Sequence, residues 1–135
     1  MSLTVIRQQL ETAFAAADGG LPTNYENVFY VPTKGVAFQR VQIVLGTPEN
    51  PTVGDAFYRE RGFIQVVLYY PLQTGPGDSV TRAQAIRDAF PRGRSFVTGK
   101  VTTIIEATMS RLPSIVEDDR FVVPVRIPFF SNVLP

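Results

Sequence analysis

Gly62-Phe63-Ile64-Gln65-Val66-Val67-Leu68-Tyr69-Tyr70-Pro71 decides the fold. The run is rich in β-branched and aromatic residues and reads as a strand. Ile64, Val66, Leu68 and Tyr70 fall on one face. Phe63, Gln65, Val67 and Tyr69 fall on the other, with one polar residue among them. A strand apolar on both faces needs cover on both sides. Helices of the same chain that pack on one face leave the other bare.

Downstream, Pro71 and Gly75-Pro76-Gly77 read as a turn, and a helix follows from Val80 to Phe90. Asp78 or Ser79 is the expected N-cap, or Thr81 with Gln84 if the helix starts later. Val80, Ala83, Ile86, Ala89 and Phe90 supply its apolar stripe. A phosphate-binding loop would need Gly-Lys-Ser/Thr where this chain has Gly77-Asp78-Ser79, so the reading is a plain turn.

Upstream, Ser2 to Ala17 reads as an amphipathic helix. Leu3, Ile6, Leu10, Ala13, Phe14 and Ala17 share a face, Ser2 caps the start and Asp18-Gly19-Gly20 ends it. Tyr25 to Val31 reads as a short strand or extended stretch and Val36 to Leu45 as a strand, separated by a Pro32-Thr33-Lys34-Gly35 turn. Gly46 to Gly62 is a Pro- and Gly-punctuated connection ending in Phe57-Tyr58-Arg59-Glu60-Arg61. Aromatics interleaved with arginines are the composition of interface anchors, which makes Phe57, Tyr58, Arg59 and Arg61 candidates for contact with a partner. The alternative is a strand extension in which Ala56 to Arg61 begin the next strand.

Beyond the second helix, Arg92 and Arg94, with Arg87 and Lys100, concentrate positive charge. The pattern fits a solvated turn or a positive surface patch. Val101 to Met109 alternates as a strand. Phe121, Val123, Val125, Ile127 and Phe129 form the buried face of the last one. Pro124 and Pro128 within it point to a sheet edge or bulges, since proline cannot donate to a ladder. An apolar edge is a template for another chain. The apolar end adds Phe129, Phe130, Val133 and Leu134 to the candidate interface. The fold expected is a single α+β domain over 1–135, a mostly antiparallel or mixed sheet with two helices packed on one face.

The totals agree with a structural role. The 135 residues suit one domain. Thirteen Lys and Arg against twelve Asp and Glu leave a net charge of +1, and the charged fraction is 19%, below the roughly 25% of average domains. Such a balance does not suit a protein that holds nucleic acid by overall charge. No apolar run approaches the roughly 20 residues of a membrane span, and Met1-Ser2-Leu3 opens no signal-peptide pattern. With no histidine and no cysteine, imidazole bases, thiolate nucleophiles and the usual zinc ligands are excluded. Only carboxylates remain. Glu106 sits among threonines and reads as a solvated or ion-paired residue. Glu117-Asp118-Asp119 reads as a solvated hairpin tip, because the alternating ligand spacing of a calcium loop is missing. No catalytic set, metal site or cofactor is expected.

The order of these features resembles the tail-terminator and minor tail proteins of long-tailed bacteriophages, the group that includes the lambda tail terminator. The resemblance covers most of the chain. It rests on the opening helix, Asn27-Val28-Phe29-Tyr30-Val31-Pro32, Phe38-Gln39-Arg40-Val41, Gly62-Phe63-Ile64-Gln65-Val66, and Tyr70-Pro71 with Gly75 to Gly77. The helix closing in Ala89-Phe90, the strand bearing Thr102 to Ile104 and the final strand complete it. A tryptophan belongs in the early strand region of that pattern, and here Phe38 or Tyr25 takes its place. What the resemblance implies is a non-enzymatic virion protein at the head-proximal end of the tail, assembled in the host cytoplasm. It would form a homo-hexameric ring that caps the tail-tube protein, stops its polymerisation and meets the head–tail connector. DNA would pass transiently and unspecifically through the lumen, and no membrane is involved. Another neck or head-completion connector protein is the alternative.

Overall fold

The computed structural model of the chain describes residues 2–17, 19–26, 31, 35–51, 57–72, 77–117 and 119–134. The expected turns at Pro32 to Lys34 and Gly75-Pro76, the segment Asn27 to Tyr30, Asp18, Asp118 and the Ser2 cap lie outside the described residues and side chains. Helix α1 spans Ser2–Ala16 and α2 spans Gly77–Ala89. The strands are β1 (Thr23–Tyr25), β2 (Phe38–Leu45), β3 (Tyr58–Pro71), β4 (Ser95–Thr98), β5 (Val101–Ile105), β6 (Ser110–Arg111), β7 (Ile115–Glu117) and β8 (Arg120–Val133). They form one sheet in the order β1-β2-β3-β8-β5-β4, with β6 and β7 also on β8. Every pairing is antiparallel except β1 with β2. The architecture is α+β, as the sequence led us to expect.

β3 and β8 are the spine. They pair over their whole lengths, Tyr58 opposite Val133 through Pro71 opposite Arg120. The final strand is therefore central, which corrects the edge placement drawn from its prolines. The far side of β8 is lined by three short strands in series: β7 opposite Arg120 to Val122, β6 opposite Val125 and Arg126, and β5 opposite Phe129 to Val133. Pro124 and Pro128 fall at the two junctions between these partners. Their carbonyls accept from Leu112 N and Glu106 N, both at 2.9 Å, so their backbone faces the segmented side. The missing proline donors fall where one partner strand ends and the next begins, and the β3 ladder loses nothing. The apolar stretch up to Leu134 is likewise closed within the chain. Val133 pairs with Tyr58 and Val101, and Leu134 N donates to Lys100 O at 3.0 Å.

The helices cover one face. Ile6, Leu10 and Phe14 of α1 and Ala83, Ile86 and Phe90 around α2 pack on Val41, Ile43, Ile64, Val66, Leu68, Val123, Val125, Ile127 and Phe129. The Phe14 and Phe90 rings stack at 6.4 Å. α2 begins at Gly77, ahead of the expected caps. Its buried stripe is Ser79, Arg82, Ala83 and Ile86, with Val80 half exposed. Several of the buried polar groups on this face bond to one another. Gln9 donates to the carbonyls of Phe96 and Val101 and accepts from Thr103 Oγ1, while Arg82 donates to Gln39 Oε1 at 3.1 Å. Because the single Thr103 proton goes to Gln9, Ser131 Oγ must be the donor in its 2.6 Å bond to Thr103.

One glycine is fixed by space. A Cβ at Gly62 would stand 2.2 Å from Val44 O, so only glycine lets β2 close onto β3 there. Beyond it Gly46 N donates to Arg61 O, and Glu49 and Arg59 exchange backbone bonds of 2.8 and 2.9 Å. The Gly46–Gly62 connection is thus largely a continued hairpin, the strand-extension alternative, with 52–56 outside the described residues.

Candidate functional site: the uncovered sheet face

Strand alternation and register place Arg40, Gln42 and Val44 of β2 on the face opposite the helices. They are joined by Arg61, Phe63, Gln65, Val67 and Tyr69 of β3, and by Pro124, Arg126, Pro128, Phe130 and Asn132 of β8. Thr102 and Ile104 of β5 extend the face. Among the described residues no helix covers it.

Arginines lie across its rings. Arg126 sits 4.8 Å from the Phe63 centroid and Arg40 sits 5.6 Å from Tyr69. Arg59 and Arg61 flank Phe130 at 5.0 and 5.8 Å. At the β8 start Arg120 covers Phe38 at 5.0 Å, and Phe38 stacks on Tyr69 at 4.4 Å with their planes 4° apart. The guanidinium groups shelter the aromatic faces in place of a helix and keep the surface wettable. Such contacts are worth about 0.5–1 kcal/mol while exposed and 2 or more once water is excluded. The face therefore gains on being covered.

The candidate interface residues divide between the two faces. Arg59 donates to Asn132 Oδ1 at 2.8 Å, and Arg61 bridges Glu49 at 2.6 Å and Glu106. The bond to Glu49, with the charge of Glu106, holds the Arg61 guanidinium above its ordinary pKa. With Phe130 these belong to the bare face. Phe129 and Val133 are buried in the core of the chain, Tyr58 packs against that core, and Leu134 is exposed beside Lys100. Phe57 is half-buried at the start of the strand.

Of the four basic residues, Lys100 stands apart from Arg87 in α2 and from Arg92 and Arg94 between α2 and β4. Arg87 donates to Met109 O at 2.9 Å, and Arg94 lies over Phe90 and Phe96 and donates to Ala89 O. Lys100 stands past the far end of β4, roughly 15 Å from Arg94 at about 3.3 Å per residue. Glu106, the candidate carboxylate, is held by Arg61. Glu117 lies opposite Arg120 in the register of the β7–β8 hairpin, and Asp119 occupies its turn. Burial raises the Tyr69 and Tyr70 hydroxyl pKa values.

The chemistry of this chain is spread over a broad sheet face, the layout of a protein that works through surface contact. The family profile described as phage tail terminator protein matches residues 4–129, and the chain belongs to that family. It is a structural protein of a phage tail. One solved structure, which carries no functional name, superposes with a TM-score of 0.82 at 21% identity, over 100% of this chain and 99% of its own. At that identity the likeness is one of fold. No curated protein matches the sequence. No helix among the described residues is long and apolar enough to cross a membrane.

Proposed function

We propose that the protein is a tail terminator in the full sense: a homo-hexameric ring at the head-proximal end of the tail. The ring caps the tail-tube protein, stops its polymerisation and offers the surface to which the head–tail connector joins. The bare sheet face carries this reading. Phe63, Val67, Tyr69 and Phe130 form a half-buried apolar surface that no described helix covers, dressed with the Arg and aromatic types that anchor interfaces. A closed ring of copies buries such a face repeatedly without leaving an open end. DNA passing through the lumen would meet the ring without base-specific contact. The test is deletion of the gene in the phage: tails that grow beyond their normal length support the reading. Tails of normal length that fail to join heads would instead mark a neck or head-completion protein.

A further inference from the structure

Among the described residues, the outer edges of β4 and β7 carry no partner strand, and they match each other. β4 is the margin of the sheet. Gly93 N donates to Ile105 O and Ile105 N to Arg94 O. With the pairs Phe96–Thr103 and Thr98–Val101, alternation then turns the backbone N–H and C=O of Ser95 and Val97 outward. The Val97 side chain is 68% exposed. Nothing in Ser95-Phe96-Val97-Thr98 protects the edge, for it holds no charge, proline or bulge within it.

β7 is the second open edge. Glu117 and Ile115 pair across to Arg120 and Val122, whose backbone lies on the same side of β8 as that of Pro124. Val116 N–H and C=O therefore point away from the sheet. Val116 is 66% exposed and Ile115 is 53% exposed. The two edges cannot meet within one subunit. Val116 pairs with Phe121 and Val97 is in line with Asn132, roughly 35 Å along β8 at about 3.3 Å per residue.

We propose that β4 of one copy pairs strand to strand with β7 of the next, so that the sheet runs on from subunit to subunit. The proposal rests on the ring reading and adds to it: edge pairing is a second contact between copies, beside the burial of the bare face. Three properties of the surfaces agree with it. Each edge offers outward backbone groups that need a partner. Beside β4 lies a groove of about 520 Å³ between α1 and the strand, lined by Val5, Thr12, Ala16 and Phe96 among others, which takes an apolar side chain of the incoming Ile115-Val116. Charge also matches. Arg92 and Arg94 stand before β4 and Lys100 after it, while β7 ends in Glu117 with Asp119 beyond. An acidic tip thus meets a base in either strand direction. The contact is heterologous, each copy using β4 toward one neighbour and β7 toward the other, as a ring requires.

The chain has no cysteine, so crosslinking is unambiguous. Val97→Cys and Val116→Cys subunits, distinguishable by mass, are mixed with tail tubes and oxidised. A disulfide requires the two Cα atoms within about 7 Å, and the mixture should crosslink about tenfold more than either variant alone. A Val97→Pro subunit should keep the wild-type melting temperature, because only an outward N–H is lost, yet should fail to enter rings. Rings that form without the mixed crosslink, or that accept Val97→Pro, overturn the edge pairing and leave the ring reading standing. A subunit that never associates overturns both.

Discussion

Leu68 and Val67 are neighbours in β3 with opposite surroundings, and truncating each tests the assignment of the two faces. Leu68 is fully buried beneath the helices, paired with Gln39 on one side and Val123 on the other. Leu68→Ala removes its buried carbons and leaves a cavity that two long paired strands cannot collapse, a loss of about 3 kcal/mol. With an unfolding entropy of ~2.1 cal/mol/K per residue over 135 residues, the midpoint should fall by about 11 °C. Val67 is half-buried on the bare face. Val67→Ala loses two methyl groups that are only partly removed from water, about 0.8 kcal/mol and ~3 °C. Calorimetry of the monomeric subunit measures both. Equal losses, or a larger loss at Val67, would show that the helices cover the other face and would refute the reasoning.

Phe130→Ala should weaken self-association about tenfold or more, since two arginines lose their platform, while the subunit's melting midpoint moves by less than about 5 °C; sedimentation together with calorimetry separates the two effects. Arg82→Ala should cost about 2 kcal/mol in urea unfolding, because Gln39 Oε1 loses a buried donor, and adding Gln39→Leu should recover part of that loss. Gly62→Ala should disrupt the β2–β3 closure and lower the yield of folded subunit, as judged by circular dichroism, because the new methyl meets backbone. Burial holds the Tyr69 and Tyr70 hydroxyls protonated above the ordinary value of 10.0. The folded state then keeps protons the unfolded chain releases, so their contribution is intact below pH 10 and declines as pH rises further. Tyr69→Phe with Tyr70→Phe should flatten that alkaline loss of stability.

Most of the spine is legible in the sequence. The alternation of Phe63 to Tyr70 gives both faces of β3 correctly, and the spacing of Ile6, Leu10 and Phe14 places α1. What escaped has definite physical causes. Pro124 and Pro128 suggested an edge because a lone proline in a central strand breaks a ladder. Here the break coincides with gaps between β7, β6 and β5, a long-range arrangement that no local pattern reveals. β4, β6 and β7 are two to four residues long, too short for a period to register. β3 starts at Tyr58 because Glu49 pairs with Arg59 across an irregular connection. Arg82 hides its charge in the core because Gln39 meets it, a pairing 43 residues apart. The candidate interface mixed the two faces of one strand: Phe130 is outside and Phe129 inside, as a period of two dictates once the buried partner, Ile105, is known. The arginines over Phe63, Tyr69 and Phe130 come from different strands, so register alone brings them together.

Light scattering and negative-stain imaging of the purified protein, alone and with tail tubes, test whether the bare sheet face is finished by other copies. A six-membered ring of about 90 kDa, six times the 14.9 kDa subunit, seated on the tube end is the expected result. A particle of 14.9 kDa at every concentration, with or without tubes, would contradict it.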